Sequence, residues 1–436
     1  MQVSVETTAG LERKLTVQVP SERIDQAVES RLQEMSHQVR LDGFRPGKVP
    51  VKVVRQRFGS QVRQEVMGEV LQSSLQEAIV QEQLRPAGMP RIEALDLESG
   101  KDLAYTATFE VYPDIQVKDL DKIEIKRPVV EIGETDVDRM VDNLRQQRKT
   151  WADVERPAQE GDRVTLDFEG RIDGKPFEGN KGEKVPVELG KGGMLADFES
   201  GLKGAKPGET RTIEVRFPDD YQGKAVAGKA AQFEVTVHSV SEPVLPEVDD
   251  AFVASFGIKD GGIEALRAEV RSNMQRELDQ TVRAHIKKQV MDGLLSQNEV
   301  EVPKALVDEE VQTLQRQAAQ SFGQPNMDIS QLPTEPFEED ARRRVQLGLM
   351  VGELVRANDL TVDADRVRQE VQNIASTYDD SEEVVKYYYG NPDALRSVEG
   401  VVLEDQVVEF VLQSAKVAEV ERSFDDVMNS SDKSTD

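Results

Sequence analysis

The sequence predicts a multidomain α+β protein: an α+β head, an antiparallel β domain, and an extended all-α C-terminal domain with helical arms. Three observations predict it. Strand-like alternation and helix-like stripes are mixed over residues 1 to 112. Short alternating segments with dense glycine and clustered aromatics fill the region from 151 to 243. Beyond 244, apolar residues recur every three or four positions and are interrupted mainly at prolines.

The bulk numbers agree. A chain of 436 residues has room for two to four domains. Charged residues make up 31 % and aromatics 5 %, which suits helix-rich domains with much surface and modest cores. No stretch approaches the roughly 18 apolar residues of a membrane span. The start, Met1-Gln2-Val3-Ser4-Val5-Glu6, alternates like a strand and lacks the pattern of a signal peptide, so a cytoplasmic protein is expected. There is no cysteine, which excludes disulfides, thiolate metal sites and thiol catalysis.

In the head, Val3 and Val5, then Leu15, Val17 and Val19, alternate on either side of Ala9-Gly10 and predict a hairpin. Ser21 is the expected N-cap of a helix whose inner face is Ile24, Val28, Leu32 and Met35. A short helix is expected from Pro50, with Val51, Val54 and Phe58 inward and Gly59 closing it. A separate helix then carries Val62, Val66, Val70 and Ile79, and a strand runs from Leu103 to Val111. Residues 113 to 150 read as a connector: an extended strand (Ile123, Ile125, Val129) broken at Pro128, then an amphipathic helix (Val137, Met140, Val141, Leu144).

The β domain, 151 to 243, shows strands at 164–168, 211–215 and 232–237. Asp173-Gly174 marks a hairpin turn, and a short helix around Phe198 ends at Gly201 or Gly204. From 244 to 424 one long stripe runs from Ile263 to Leu294 and stops at Pro303. Shorter stripes follow: Leu306 to Ala318, Phe337 to Leu349, Val367 to Tyr378, and Leu395 to Val402. Read alone, these stripes are core. Residues 425 to 436, rich in Ser and Asp, read as a disordered tail.

Two places carry possible chemistry. The first is the turn Gly43-Phe44-Arg45-Pro46-Gly47-Lys48-Val49-Pro50. From Arg40 to Arg63 there are seven basic residues (Arg40, Arg45, Lys48, Lys52, Arg55, Arg57, Arg63) against one acid, Asp42, in a protein of net charge -27. Such a concentrated patch on an acidic molecule favours a polyanion, RNA above all. On composition such a loop is also a plain solvated connection, but an exposed Phe44 gains no packing energy there and suits insertion into a pocket. The second place is the set of five phenylalanines in the β domain, which on their own read as its core.

The turn matches G-F-R-x-G-K-x-P throughout and resembles the ribosome-docking signature of the trigger factor family. The resemblance extends in domain order from Met1 to about Phe424. It implies a ribosome-binding role for Gly43, Phe44, Arg45, Pro46, Gly47 and Lys48. The β domain resembles the FKBP family of peptidyl-prolyl isomerases through ordered landmarks: Asp167-Phe168-Glu169-Gly170, Gly174-Lys175-Pro176-Phe177-Glu178, Leu189-Gly190, Phe198-Glu199, Gly201-Leu202, Pro207-Gly208-Glu209, Phe217-Pro218, Tyr221 and Phe233. By that resemblance the proline pocket is lined by Phe168, Phe177, Met194, Leu195, Phe198, Phe217, Tyr221 and Phe233. Departures from the family pattern are Glu178 for Asp, Phe198 for Trp, Val185 for an aromatic, and no pocket histidine, His238 being on the last strand.

The resemblance implies an ATP-independent, ribosome-associated chaperone that holds nascent polypeptides near the exit of the large subunit, through protein and rRNA, and isomerises X-Pro bonds. It also implies a weak homodimer off the ribosome and associations with protein export and cell division. No membrane partner is expected. His37, His238 and His285 lack metal-ligand spacing, and Gly190-Lys191-Gly192-Gly193 resembles a phosphate loop only superficially, so no cofactor and no metal is expected. Two rivals stand beside this reading: a free-standing FKBP-like isomerase, and a catalytically silent peptide-binding protein without ribosome docking.

Overall fold

The computed structural model describes residues 1–429 except 42, 43, 45, 46, 97–101, 178, 220, 222, 225, 322, 324–326, 330, 331, 377 and 379. The chain divides into two compact units. One joins Met1–Arg127 to Arg283–Val420; the other joins Pro128–Val282 to the segment from Glu421.

In the first unit, β1 (Gln2–Ala9) and β2 (Glu12–Val19) form the expected hairpin. With β3 (Arg91–Asp96) and β4 (Leu103–Glu110) they make an antiparallel sheet of order β1-β2-β4-β3. Two helices, α1 (Ser21–Gln38) and α2 (Val51–Gln81), share the sheet's core of Leu15, Val17, Val19, Ile24, Leu32, Val54, Val62 and Tyr105. The Tyr105 hydroxyl, buried in this core, meets the Ser74 hydroxyl of α2 at 2.8 Å.

Two local expectations are corrected here. Helix α2 runs unbroken through Gly59 for 31 residues. A helical glycine costs about 1 kcal/mol relative to alanine, but Val54, Val62, Val66 and Val70 are all buried and keep four-residue phase across it. Ser21 is not a cap. It is the first helical residue, after Pro20, and its N–H donates at 2.9 Å to the carboxylate of Asp102, which precedes β4 at the same end of the sheet.

The same unit holds α7 (Lys304–Ser321) packed with α8 (Glu335–Ala357), and α9 (Ala364–Ala375), α10 (Ser381–Gly390) and α11 (Pro392–Ser414) around Val367, Val371, Val398 and Val402. Among the described residues the C-terminal region is therefore helical, with one exception. A strand, β11 (Lys416–Glu421), pairs with β5 (Glu124–Val129). Pro128 sits within β5 and does not break it; a two-stranded ribbon leaves each strand an outer edge where a missing N–H costs nothing.

In the second unit, β10 (Ala230–Val244) organises a five-stranded antiparallel sheet. One edge of β10 takes β9 (Thr210–Arg216) and β6 (Thr150–Val154) end to end. The other takes β7 (Arg163–Arg171), which pairs in turn with β8 (Lys181–Glu188). A short helix, α4 (Ala196–Leu202), lies against β9, where Gly201 leaves room for Ile213. A second core joins α3 (Glu134–Gln147), α5 (Asp250–Ala254), residues 266–278 of α6 (Gly262–Gln297) and α12 (Phe424–Asn429). Residues 425–429 are thus helical, with Phe424 and Val427 buried, where the sequence suggests the start of a disordered tail. The aromatic and aliphatic spacing Phe424, Val427, Met428 supplies the apolar face.

Candidate functional site

All eight residues expected at the proline pocket line one cavity of about 650 Å³ in the five-stranded domain. They come from several separate pieces of chain held by the sheet. Phe168 is on β7 and Phe233 on β10, directly across the ladder from Val235 and Gly170 respectively. Phe198 rises from α4, Met194 and Leu195 lead into that helix, and Phe217 and Tyr221 follow β9. Phe177 follows the Asp173-Gly174 turn, closed by paired Ile172 and Lys175.

Phe233 is the hub. Its ring centroid lies 5.4 Å from Phe198, 5.9 Å from Phe168 and 6.1 Å from Phe177, all edge to face. Phe177 meets Phe217 at 5.9 Å, and Phe217 meets Tyr221 at 4.9 Å. Such pairs add about 0.5–1.5 kcal/mol each beyond their area burial and fix ring orientation. Two glycines make the space: a methyl on Gly170 would sit 2.5 Å from the Phe233 ring, and one on Gly182 would sit 2.5 Å from Phe168. Gly170→Ala is therefore expected to displace Phe233, lower stability by about 1–3 kcal/mol and slow turnover of a prolyl peptide severalfold; thermal melting and a peptide isomerisation assay read both.

The cavity is apolar inside and polar at its mouth. Phe198, Phe217 and Phe233 are buried, whereas Tyr221 is 41 % exposed at the rim. None of the eight is a carboxylate, an imidazole or a thiol. What the arrangement can do is hold an apolar ring and dry the bond beside it. Rotation about X-Pro has a barrier of about 18–20 kcal/mol because the amide is conjugated. The twisted state has lost that conjugation and some carbonyl polarity, so a dry aromatic wall favours it over the planar state.

Sequence reasoning missed further lining residues: Gly179, Gly192, Gly193, Val215, Gly223 and Val226. Val215 alternates inward with Ile213 on β9, a signal that period-two patterning carries; Val226 sits in a turn and gives no such signal. Of the departures, Val185 packs against the domain core and is not a lining residue, and Glu178 lies outside the described residues. His238 is also outside the cavity wall. It pairs with Asp167 at 2.8 Å, and the Asp167 carboxyl is held below its ordinary value first by the Lys184 N–H and then by His238.

Elsewhere in the domain, Asp162 is buried and receives both Arg156 guanidinium nitrogens, at 2.6 and 3.0 Å, and the Gln159 N–H at 2.8 Å. Burial alone would push its carboxyl up; the Arg156 and Gln159 hydrogen bonds outweigh it and set it below the ordinary value. A carboxyl depressed on folding stabilises the domain above its unfolded pKa, about 3.9, and loses that contribution as pH falls through its folded value. Melting of wild type is thus expected to drop below about pH 4. Asp162→Asn, which forfeits this contribution, is expected to melt several degrees lower at neutral pH and to show a flatter acid limb.

The second expected site is only partly within view. Gly43, Arg45 and Pro46 lie outside the described residues. Phe44 is 39 % exposed, its N–H donating to the Leu41 carbonyl at 3.1 Å. Gly47 is left-handed at φ 73°, and Lys48 is exposed, while Val49 beside it is buried in the core of the sheet and helices. The basic stretch is less positive than its sequence count: Arg55 pairs with Glu29 and Arg63 with Asp25, both acids of α1. Arg40, Lys48, Lys52 and Arg57 form no ion pair among the described residues and are the cations left to a partner.

Comparison with known proteins follows the same division. The family model described as bacterial trigger factor protein matches residues 1–144, and its C-terminal counterpart matches 262–413. The model for FKBP-type peptidyl-prolyl cis-trans isomerase matches 154–238. The chain is 52 % identical over 429 residues to the trigger factor of Thioalkalivibrio sulfidiphilus, covering 98 % of both chains, and 49 % identical over 433 residues to that of Pseudoalteromonas atlantica, covering 98 % and 99 %. A solved structure from work on promiscuous substrate recognition in folding and assembly activities of the trigger factor chaperone covers 95 % of this chain and 99 % of its own, with TM-score 0.50 and 18 % identity, a likeness of fold.

Proposed function

The chain belongs to the trigger factor family, and on that premise we propose that its aromatic cavity is where X-Pro bonds rotate and that the turn from Gly43 to Lys48 is its ribosome contact. Membership makes it a ribosome-associated chaperone for nascent chains, with an FKBP-type prolyl isomerase domain. The cavity supports the finer reading: eight residues named for a proline pocket converge on it from six segments, with no nucleophile or acid–base pair among them. In this reading Phe198 and Phe233 are the floor, Phe168 and Phe177 the walls, and Tyr221 holds the substrate carbonyl at the rim.

For the turn, the supporting observations are an exposed Phe44, an exposed Lys48 and the unpaired cations around them. Phe44 inserts into a pocket of the large subunit near the polypeptide exit; Arg45 and Lys48 meet rRNA phosphate or an acidic side chain. The protein works in the cytoplasm, without ATP or cofactor, and pairs weakly with itself when free. Among the described residues no helix is long and apolar enough to cross a membrane.

Two measurements on the full chain test this. The first is isomerisation of a prolyl peptide; no rate above the uncatalysed one reduces the domain to a silent binding module. The second is co-sedimentation with ribosomes at two salt concentrations. Pelleting that weakens at high salt supports the docking turn, and a chain that stays in solution at both leaves a free-standing isomerase.

A further inference from the structure

Beside the cavity lies a buried charged residue that the isomerisation chemistry does not use. Glu199 follows Phe198 on α4 and is 6 % exposed. A buried carboxylate is costly unless its charge is met. Here no cation meets it: Glu199 forms no ion pair among the described residues. Its oxygens turn instead to the loop that precedes the helix. Oε2 accepts the Gly190 N–H at 2.9 Å and Oε1 accepts the Met194 N–H at 3.1 Å. The N–H groups of Gly192 and Gly193, between these two, also favour its charged form. Burial raises the Glu199 carboxyl, but the backbone N–H groups of the loop, Met194 and Gly190 foremost, outweigh it and set it below its ordinary value.

The geometry of the loop explains why it needs to be held at both ends. Residues 190–193 are Gly-Lys-Gly-Gly, with Gly190 and Gly192 left-handed at φ 88° and 68°. Such a stretch has little packing of its own and large conformational freedom. Yet its end carries Met194 and Leu195, and Gly192, Gly193, Met194 and Leu195 all line the cavity. Nearby charges are already committed elsewhere, Lys191 to Glu188 at 3.3 Å and Lys203 to Glu160 at 3.0 Å. One carboxylate therefore gathers the amides of a glycine loop and sets the wall that two side chains make.

We propose that Glu199 is a positioning residue for the isomerase pocket: it folds the 190–195 loop so that Met194 and Leu195 close one side of the cavity on the substrate. The proposal rests on the reading of that cavity as the prolyl site. Glutamine has the same shape but keeps only one acceptor oxygen and turns an NH2 toward the other N–H, so it cannot hold both ends of the loop.

The test uses the full chain and a proline-containing tetrapeptide. In Glu199→Gln, amide exchange at Gly190, Gly192, Gly193 and Met194 accelerates while amides of β7 and β10 keep their protection. The catalytic efficiency falls about tenfold, the scale expected for a misplaced wall, carried mainly by KM. In a Met194→Ala/Leu195→Ala background, Glu199→Gln costs little further, because the residues it positions are gone. Loop protection and efficiency within twofold of wild type overturn the proposal. So does an undiminished effect of Glu199→Gln in the double-alanine background, or loss of protection throughout the domain, either of which makes Glu199 a fold residue. If the variant does not fold, the wild type still decides: amides of 190–194 that exchange as fast as an open glycine loop overturn it. Phe198→Ala is the separate control. Full activity there removes the pocket reading, whatever the loop amides show.

Discussion

Phe198→Ala is expected to lower kcat/KM for a prolyl peptide by about 10–100-fold, most of it in kcat, since each tenfold is about 1.4 kcal/mol. The ring is buried and meets Phe233 at 5.4 Å and Phe168 at 6.0 Å, edge to face. Removing it takes away two aromatic contacts, lets the other rings relax, and admits water where the rotating amide must stay dry. A wall that acts on the twisted state more than on the planar one shows its loss in kcat. The same truncation costs about 3–5 kcal/mol of domain stability by cavity formation, so the assay belongs well below the measured melting midpoint. An unchanged rate from folded protein would place the isomerisation site elsewhere. Because no carboxylate, imidazole or amine is among the described residues that line the cavity, turnover should be flat between about pH 6 and 8.

Phe44→Ala/Arg45→Ala/Lys48→Ala is expected to abolish ribosome pelleting at physiological salt and leave prolyl isomerisation at the wild-type rate. The two activities separate because the turn and the cavity belong to different compact units. The cation part has its own signature. If Arg45 and Lys48 each neutralise a phosphate, Arg45→Ala/Lys48→Ala alone flattens the slope of log affinity against log salt by about 1.5–2. Phe44→Ala alone should weaken binding without changing that slope, since an apolar insertion releases no counterions. A triple variant that pellets like wild type would make the turn mere scaffold. Arg55→Ala and Arg63→Ala should be nearly silent in this assay, their charges being spent on Glu29 and Asp25.

Much of this was legible in the chain because the relevant signals are local or ordered. The pocket residues are large aromatics at landmark spacings, and no other chemistry competes for them. The hairpin Val3 to Val19 and the stripes of the long helices announce themselves by period. What was not legible depends on partners far away in sequence. Strand β8, Lys-Gly-Glu-Lys-Val-Pro-Val-Glu, has Val187 as its one buried residue and no alternation to read. Strand β11 is equally polar and exists because β5 pairs with it. Gly59 looked like a stop because a glycine's cost is visible in sequence and the tertiary burial that offsets it is not. The excess of positive charge around the turn was overcounted for the same reason, its counterions sitting on another helix. Glu199 is the sharpest case: its partners are backbone N–H groups, which every residue but proline has and no sequence displays.

The pairing of β5 with β11 sets a clock on this protein's own birth. The Lys416 N–H reaches the Ile123 carbonyl at 2.9 Å and the Arg422 N–H reaches the Val129 carbonyl at 3.1 Å, so the two strands run parallel. Synthesised from the N-terminus, the β1–β4 sheet and its helices are complete before Ile123 appears. β5 then waits with an open edge for roughly 290 further residues, on the order of 15–60 s at bacterial rates of elongation. During that interval the strand is a template for any extended segment that passes. The proline within it and the charges of Glu124, Lys126 and Arg127 are the features that make such pairing unattractive. A protein that attends the emergence of other chains thus carries, in its own sequence, the means to come through the same exposure.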